Sequence, residues 1–260
     1  MGWFQFVSAS IIFLGSALTT LADPRPFTFT TDAYPVGKGG WEYEQWITYQ
    51  AHSKEDHDFQ RFDFRHEFEF GVADNVDLAF YFPQWRWEKA DGDTNVTFQG
   101  GAAEAVIYFL NPVKDKFGLA LYNELEIGED ELAYEIKLIL QKDIGKWILA
   151  YNLVAETEIE GIFRDDVDNE VTGAIENTFG VAYGFLPGWF GGGELTVESE
   201  FEDWSHHEHT TVYAGPVFSY QAGKIANKID WWVTVTPMFQ LSNVDEEPDF
   251  QVRMLFGLSF

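Results

Sequence analysis

Phe250-Gln-Val-Arg-Met-Leu-Phe-Gly-Leu-Ser-Phe260 alternates with a period of two. Phe250, Val252, Met254, Phe256, Leu258 and Phe260 are apolar. Between them Gln251, Arg253, Gly257 and Ser259 are polar or small, with Leu255 the one exception. That alternation marks a β-strand with one greasy face and one wet face. About eleven residues is also what a tilted strand needs to cross a bilayer.

The same period recurs upstream. In 41–51, Trp41, Tyr43, Ile47 and Tyr49 share one parity and Glu42, Glu44, Thr48 and Gln50 the other. In 59–71, Phe62, Phe64, Phe68 and Phe70 oppose Arg61, Asp63, Arg65, Glu67 and Glu69. A soluble sandwich has no use for so uniformly ionised a second face, whereas a lipid-facing ring around a wet lumen does. Further strands are expected over 76–87, 97–110, 117–127, 131–141, 147–158, 171–185, 191–202, 210–221 and 229–241. Pro83 marks a bulge or altered register, because it cannot donate to the ladder. Asn123 is a misfit on the lipid parity of its strand. The predicted fold is all-β: a closed up-and-down antiparallel transmembrane β-barrel of about twelve strands. Closure leaves no open edge, as hydrocarbon demands of backbone N–H and C=O groups.

Composition agrees. Aromatic residues make up 18% of the 260, with 25 Phe, 10 Trp and 11 Tyr. Cysteine is absent, which excludes disulfides and thiolate metal sites. A net charge of −27 excludes a nucleic-acid partner. Residues 1–22 read as a signal peptide, with an apolar run from Ile11 to Leu18 and small residues at Thr20 and Ala22, although no Lys or Arg precedes the run. Residues 23–260 then form a single barrel domain, with 23–39 a short periplasmic lead-in. The connections after even-numbered strands are short or turn-forming. Those after odd-numbered strands are mostly longer and more acidic, as at 86–95 and 159–170, which places both termini on the periplasmic side.

Parity points Glu42, Glu44, Asp63, Glu67, Glu69, Glu104, Glu124, Glu126, Glu131, Glu135, Glu156, Glu158, Glu194, Glu198 and Glu200 into the lumen, opposed clearly only by Arg61, Arg65, Lys137 and Arg253. Acidic rings favour cations. The expected function is a small passive channel or transporter for polar or cationic solutes. A non-conducting structural or receptor barrel is the alternative, with Glu and Arg pairing across a plugged interior. A lipid-modifying enzyme is a third class, but His66 and Ser199 lie on different strands and no nucleophile motif frames either. In Ser205-His-His-Glu-His209, His206, His207 and His209 are metal-ligand candidates without an evident fourth partner; a solvated loop is the plainer reading. No cofactor is expected. Outer-membrane lipid and lipopolysaccharide are the generic partners of such a surface.

Two stretches carry a family likeness. Glu67-Phe-Glu-Phe-Gly-Val-Ala-Asp-Asn-Val-Asp-Leu78 and Ala214-Gly-Pro-Val-Phe-Ser-Tyr220, with Phe260, resemble bacterial outer-membrane putative-transporter barrels, including those grouped with phenol meta-pathway proteins. The resemblance implies an outer-membrane location and a closing strand whose Phe256, Leu258 and Phe260 are read by the barrel-assembly machinery. Leu258 departs from the aromatic residue common there. No catalytic or binding residue transfers.

Overall fold

A computed structural model describes residues 25–164, 168–225 and 229–260. The expected signal peptide lies outside the described residues. Twelve strands close into one antiparallel barrel in which each strand pairs with its sequence neighbours and β1 pairs with β12. They are β1 (Trp41–Ala51), β2 (Gln60–Ala73), β3 (Val76–Ala90), β4 (Asp93–Leu110), β5 (Gly118–Ile127), β6 (Glu131–Ile144), β7 (Trp147–Glu160), β8 (Glu170–Leu186), β9 (Trp189–Glu202), β10 (His206–Ile225), β11 (Ile229–Gln240) and β12 (Phe250–Ser259). The closing ladder runs from Glu42 opposite Ser259 to Ala51 opposite Phe250.

The outer wall is apolar and exposed, with Phe68, Phe70, Phe80, Leu125, Ile136, Leu138, Leu153 and Met254 on it. Aromatic pairs band both ends. At the end holding Trp41 the pairs are Trp41–Phe260, Trp147–Tyr183, Trp189–Tyr220 and Trp231–Phe256. At the other end they are Tyr49–Phe62, Phe64–Trp85, Phe62–Trp87 and Phe239–Phe250. Two girdles flanking an aliphatic belt are the outer surface of a membrane barrel, because amphipathic rings settle at the two lipid–water interfaces.

The β2–β3 register shifts between the Glu67–Tyr81 pair and the Phe64–Trp85 pair, and Phe82 and Pro83 are skipped in the ladders of β3 with both neighbours. That bulge reverses parity, so Phe80 and Phe82 face out before it and Trp85 and Trp87 after it, as the proline predicts. The polar loop expected at 86–95 is instead a tight hairpin. Strands β3 and β4 run on to Ala90 and Asp93, and Asp91 (φ 53°) and Gly92 (φ 84°) form the two-residue turn. Asp-Gly with both φ positive matches the strand twist, which favours such a turn over a loop. The Asn123 misfit also resolves. Its Oδ1 accepts from the Tyr134 hydroxyl at 2.8 Å on the neighbouring strand, and Asn177 accepts from Tyr151 in the same way at 2.8 Å. A diagonal tyrosine thus supplies what hydrocarbon cannot.

Residues 25–36 depart most from expectation. They are not a periplasmic lead-in but a strap folded inside the barrel, with Phe27, Thr28, Thr30, Asp32 and Ala33 buried. The strap turns out at Gly37–Gly40, where Gly39 N donates to Gly71 O at 2.7 Å. A Cβ on Gly71 would sit 1.8 Å from the Gly37 carbonyl oxygen, so this exit requires glycine.

Candidate functional site

The lumen divides into an inner half filled by the strap and an outer half that holds open space. The strap runs along the wall from β11 towards β3. Thr234 and Ser219 hydroxyls donate to Arg25 O, and the Arg25 guanidinium lies 3.6 Å from Glu44. Glu194 is the main clamp. Its Oε1 accepts from Phe29 N and Thr30 N at 2.9 and 2.8 Å, and its Oε2 accepts from Thr28 N at 3.0 Å and the Thr236 hydroxyl at 2.6 Å. Backbone N–H groups converging on one carboxylate form charge-assisted bonds, roughly twice as strong as neutral ones. Further along, Thr31 N donates to Asn152, Ala33 N to Gln141, the Tyr34 hydroxyl to Asp143 and Val36 N to Asp77. These are polar side chains of β3, β6, β7 and β9 aimed inward by strand alternation.

Apolar contacts back the clamp. Phe27 packs with Ile148, Ala150, Ala182 and Val217, and Ala33 with Val106, Tyr108, Ala120, Tyr122 and Ile139. Gly180 leaves the space for Phe27, whose ring would lie 2.7 Å from a Cβ there. Nearby, Trp232 fills the hollow over Gly257 and donates its indole N–H to Glu42 at 2.7 Å. Leu255, the exception in the closing strand, is fully buried on the inward side.

The outer half is electrically divided. On the wall of β1–β5 with β12, a cavity of about 260 Å³ is lined by Arg61, Arg65, Arg86 and Arg253 with Trp46, Gln84, Asp63 and Glu126. Arg65 bonds Glu124 at 2.8 Å, lies 3.8 Å from Glu126 and sits over the Tyr81 ring at 4.2 Å. Asp63 is shared by Arg86 at 2.6 Å and Arg61 at 3.1 Å. Arg253 donates to Thr48 at 3.0 Å and stacks over Phe29 of the strap. Across the lumen, a cavity of about 250 Å³ is lined by Glu156, Glu158, Glu198, Glu200 and Glu208 together with Thr172, Gly173, Ala174 and Phe201, and among the described residues no Lys or Arg lines it.

The inward set named from parity therefore splits by place. Glu44, Glu67, Glu69, Glu104 and Glu124 are buried in the wall around Arg25, Arg65 and the tyrosines, with Tyr81 donating to Glu104 and Tyr122 to Glu124. Glu135 pairs with Lys137 at 3.0 Å. Glu156, Glu158, Glu198 and Glu200 form the cation-free wall. Sequence reading missed Arg25, because its segment is not a strand. It also missed Trp46, the aromatic residue on the polar parity of β1, which faces Arg25, Arg65 and Arg253 at 5.6–5.8 Å. The bulge at Pro83 was the available signal for Arg86.

His66 and Ser199 do not meet. His66 shares a 2.9 Å hydrogen bond with Tyr43, and Ser199 one of 2.8 Å with Thr210. At the β9–β10 turn, Ser205 and Asp203 both address His206 Nδ1. A nucleophilic triad needs the acid and the hydroxyl on opposite ring nitrogens, so this cluster is a turn and not a relay. A depression of about 680 Å³ lies against the outer wall beside Leu140, Leu149, Phe179, Val181 and Leu195 and faces hydrocarbon.

Among solved structures, the barrel is similar to the COG4313 outer membrane channel from Pseudomonas putida F1, with 12% identity over 90% of this chain and 100% of that one at a TM-score of 0.62. It is also similar to the NanC porin, with 10% identity over 84% and 98% at a TM-score of 0.51. The KdgM porin in complex with disordered oligogalacturonate has 13% identity over 85% and 98% at a TM-score of 0.50. At these identities the likeness is one of fold, that of outer-membrane channel and porin barrels. It does not confirm the phenol meta-pathway grouping. No curated protein matches the chain in sequence. A family model does match, over residues 19–253, and the chain belongs to that family of unknown function, DUF6662.

Proposed function

We propose that this protein is a passive outer-membrane channel for small polar solutes that favours cations, with an outer vestibule and an inner constriction formed by residues 25–36. One observation carries the reading: the closed barrel keeps ionisable side chains around open space in its outer half, and the ionisable side chains lining one wall of that space are all carboxylates. Carboxylates facing water without a counter-cation lower the energy of passing cations and raise that of anions. The arginine wall opposite makes the vestibule polar across its width, which favours solutes that can orient a dipole between the two sides.

Reversal potentials across planar bilayers under a salt gradient test this. Discrete conductance steps with cation preference are expected. Anion preference overturns the charge argument. Silence of the folded protein, together with silence of a variant whose strap is released, overturns the channel itself. The strap's many contacts favour a second reading, a barrel closed at rest, and conductance seen only in the released variant selects it.

A further inference from the structure

We propose that Glu200, Glu208 and the Nε2 atom of His209 form a divalent-cation site at the outer mouth of the barrel, completed by Glu247 from the loop between β11 and β12, with chemistry suited to Zn²⁺. The ladder between β9 and β10 pairs His207 with Phe201 and Thr210 with Ser199, so Glu208 and His209 together oppose Glu200. This is a bulge, and its effect is to turn two successive side chains towards one partner where regular alternation would send them to opposite faces. A ligand atom from each of Glu200, Glu208 and His209 lies within 4.8 Å of the others.

Two distances from His209 Nε2 fit ligands sharing a metal better than hydrogen-bonded partners. His209 Nε2 stands 3.4 Å from Glu247 Oε1 and 3.6 Å from Glu200 Oε1. Both separations exceed the usual 2.7–3.2 Å of a hydrogen bond. They approach the edge of a tetrahedron built on Zn–N and Zn–O bonds, roughly 3.4 Å for bond lengths of about 2.0–2.2 Å. Both ring nitrogens of His209 are buried and make no hydrogen bond, although the ring is walled by acids. Buried ring nitrogens without a hydrogen bond are costly, and a metal on Nε2 removes that cost there. Glu246 stands 3.9 Å from Nδ1, where it can orient the ring as carboxylates commonly do behind a ligating histidine.

One imidazole with three carboxylates suits a borderline divalent ion better than Ca²⁺, which takes six to eight oxygens. The other two candidate histidines are engaged in the turn: His206 bonds Ser205, and His207 Nε2 bonds Thr210 at 2.9 Å. Binding would pin the β11–β12 loop, which carries Glu247, to the ends of β9 and β10. None of this depends on conduction.

Equilibrium dialysis of the refolded barrel against micromolar Zn²⁺ in 150 mM NaCl, with unfolding temperature read in parallel, tests the site. One Zn²⁺ per barrel is expected, with a rise in unfolding temperature. His209→Ala and Glu200→Gln should each weaken binding roughly tenfold or more, and the His206→Ala/His207→Ala double variant should leave it unchanged. His209→Gln serves if the alanine variant does not fold. Absence of binding, binding that survives loss of His209, or binding abolished by the double variant overturns the proposal.

Discussion

Glu194→Gln isolates the clamp on the inner strap. The substitution keeps shape and removes the charge. One amide oxygen can still accept from Phe29 N and Thr30 N, but the other position becomes an NH₂ group facing Thr28 N, at 3.0 Å in the native clamp. Orphaning that buried N–H costs about 1–3 kcal/mol, and the surviving bonds lose their charge assistance, about 1 kcal/mol between them. A total near 3 kcal/mol shifts the docking equilibrium about a hundredfold, at 1.4 kcal/mol per decade. The chain has no cysteine, so Thr30→Cys is a single reporter within the strap, at a residue 2% exposed in the native barrel. Its labelling by a water-soluble maleimide should rise about a hundredfold when Glu194→Gln is added, and single-channel recordings should show longer open times. Equal labelling rates in the two backgrounds would refute the reasoning, since the strap would then be held by its other contacts alone.

Three further outcomes follow from the same geometry. Gly180→Val places side-chain atoms where the Phe27 ring packs; it should cost about 1–3 kcal/mol of strap docking and raise Thr30→Cys labelling with no change at Glu194. Arg65→Met leaves Glu124 and Glu126 without their cation, so urea unfolding should shift to lower concentration by up to about 3–5 kcal/mol, and reversal potentials should move towards greater cation preference. On the lipid face, Tyr134→Phe strips the partner from Asn123 and should destabilise by about 1 kcal/mol, whereas Asn123→Leu should be neutral or stabilising. Equal effects of those two variants in denaturant titrations would show that the amide is satisfied from elsewhere.

Strand positions and facing were legible because a two-residue period is local: each side chain's face follows from its neighbours' faces. All twelve strands stand near where alternation places them, and the parity switch at Pro83 is a local property of a residue without an N–H. Hairpin ends were less legible. Asp91-Gly92 is a two-residue turn inside a polar run, and polarity alone does not separate a loop from a strand extending past the membrane.

Closing strand 250–260 shows where sequence ends and structure begins. Its period by itself determined that the strand has two faces, with Arg253 inward and the even-numbered apolar residues, Phe250 and Met254 among them, outward. That Leu255 is buried and Gly257 makes room for Trp232 depended on what lies across the lumen. The same holds for the whole interior. The sequence determined which residues turn inward, whereas the tertiary structure decided that 25–36 lies among them, that arginines gather on one wall and glutamates on the other, and that His209 meets Glu247. These are contacts between residues up to 225 positions apart, set by ring closure and register, and neither is a property of any short stretch of chain.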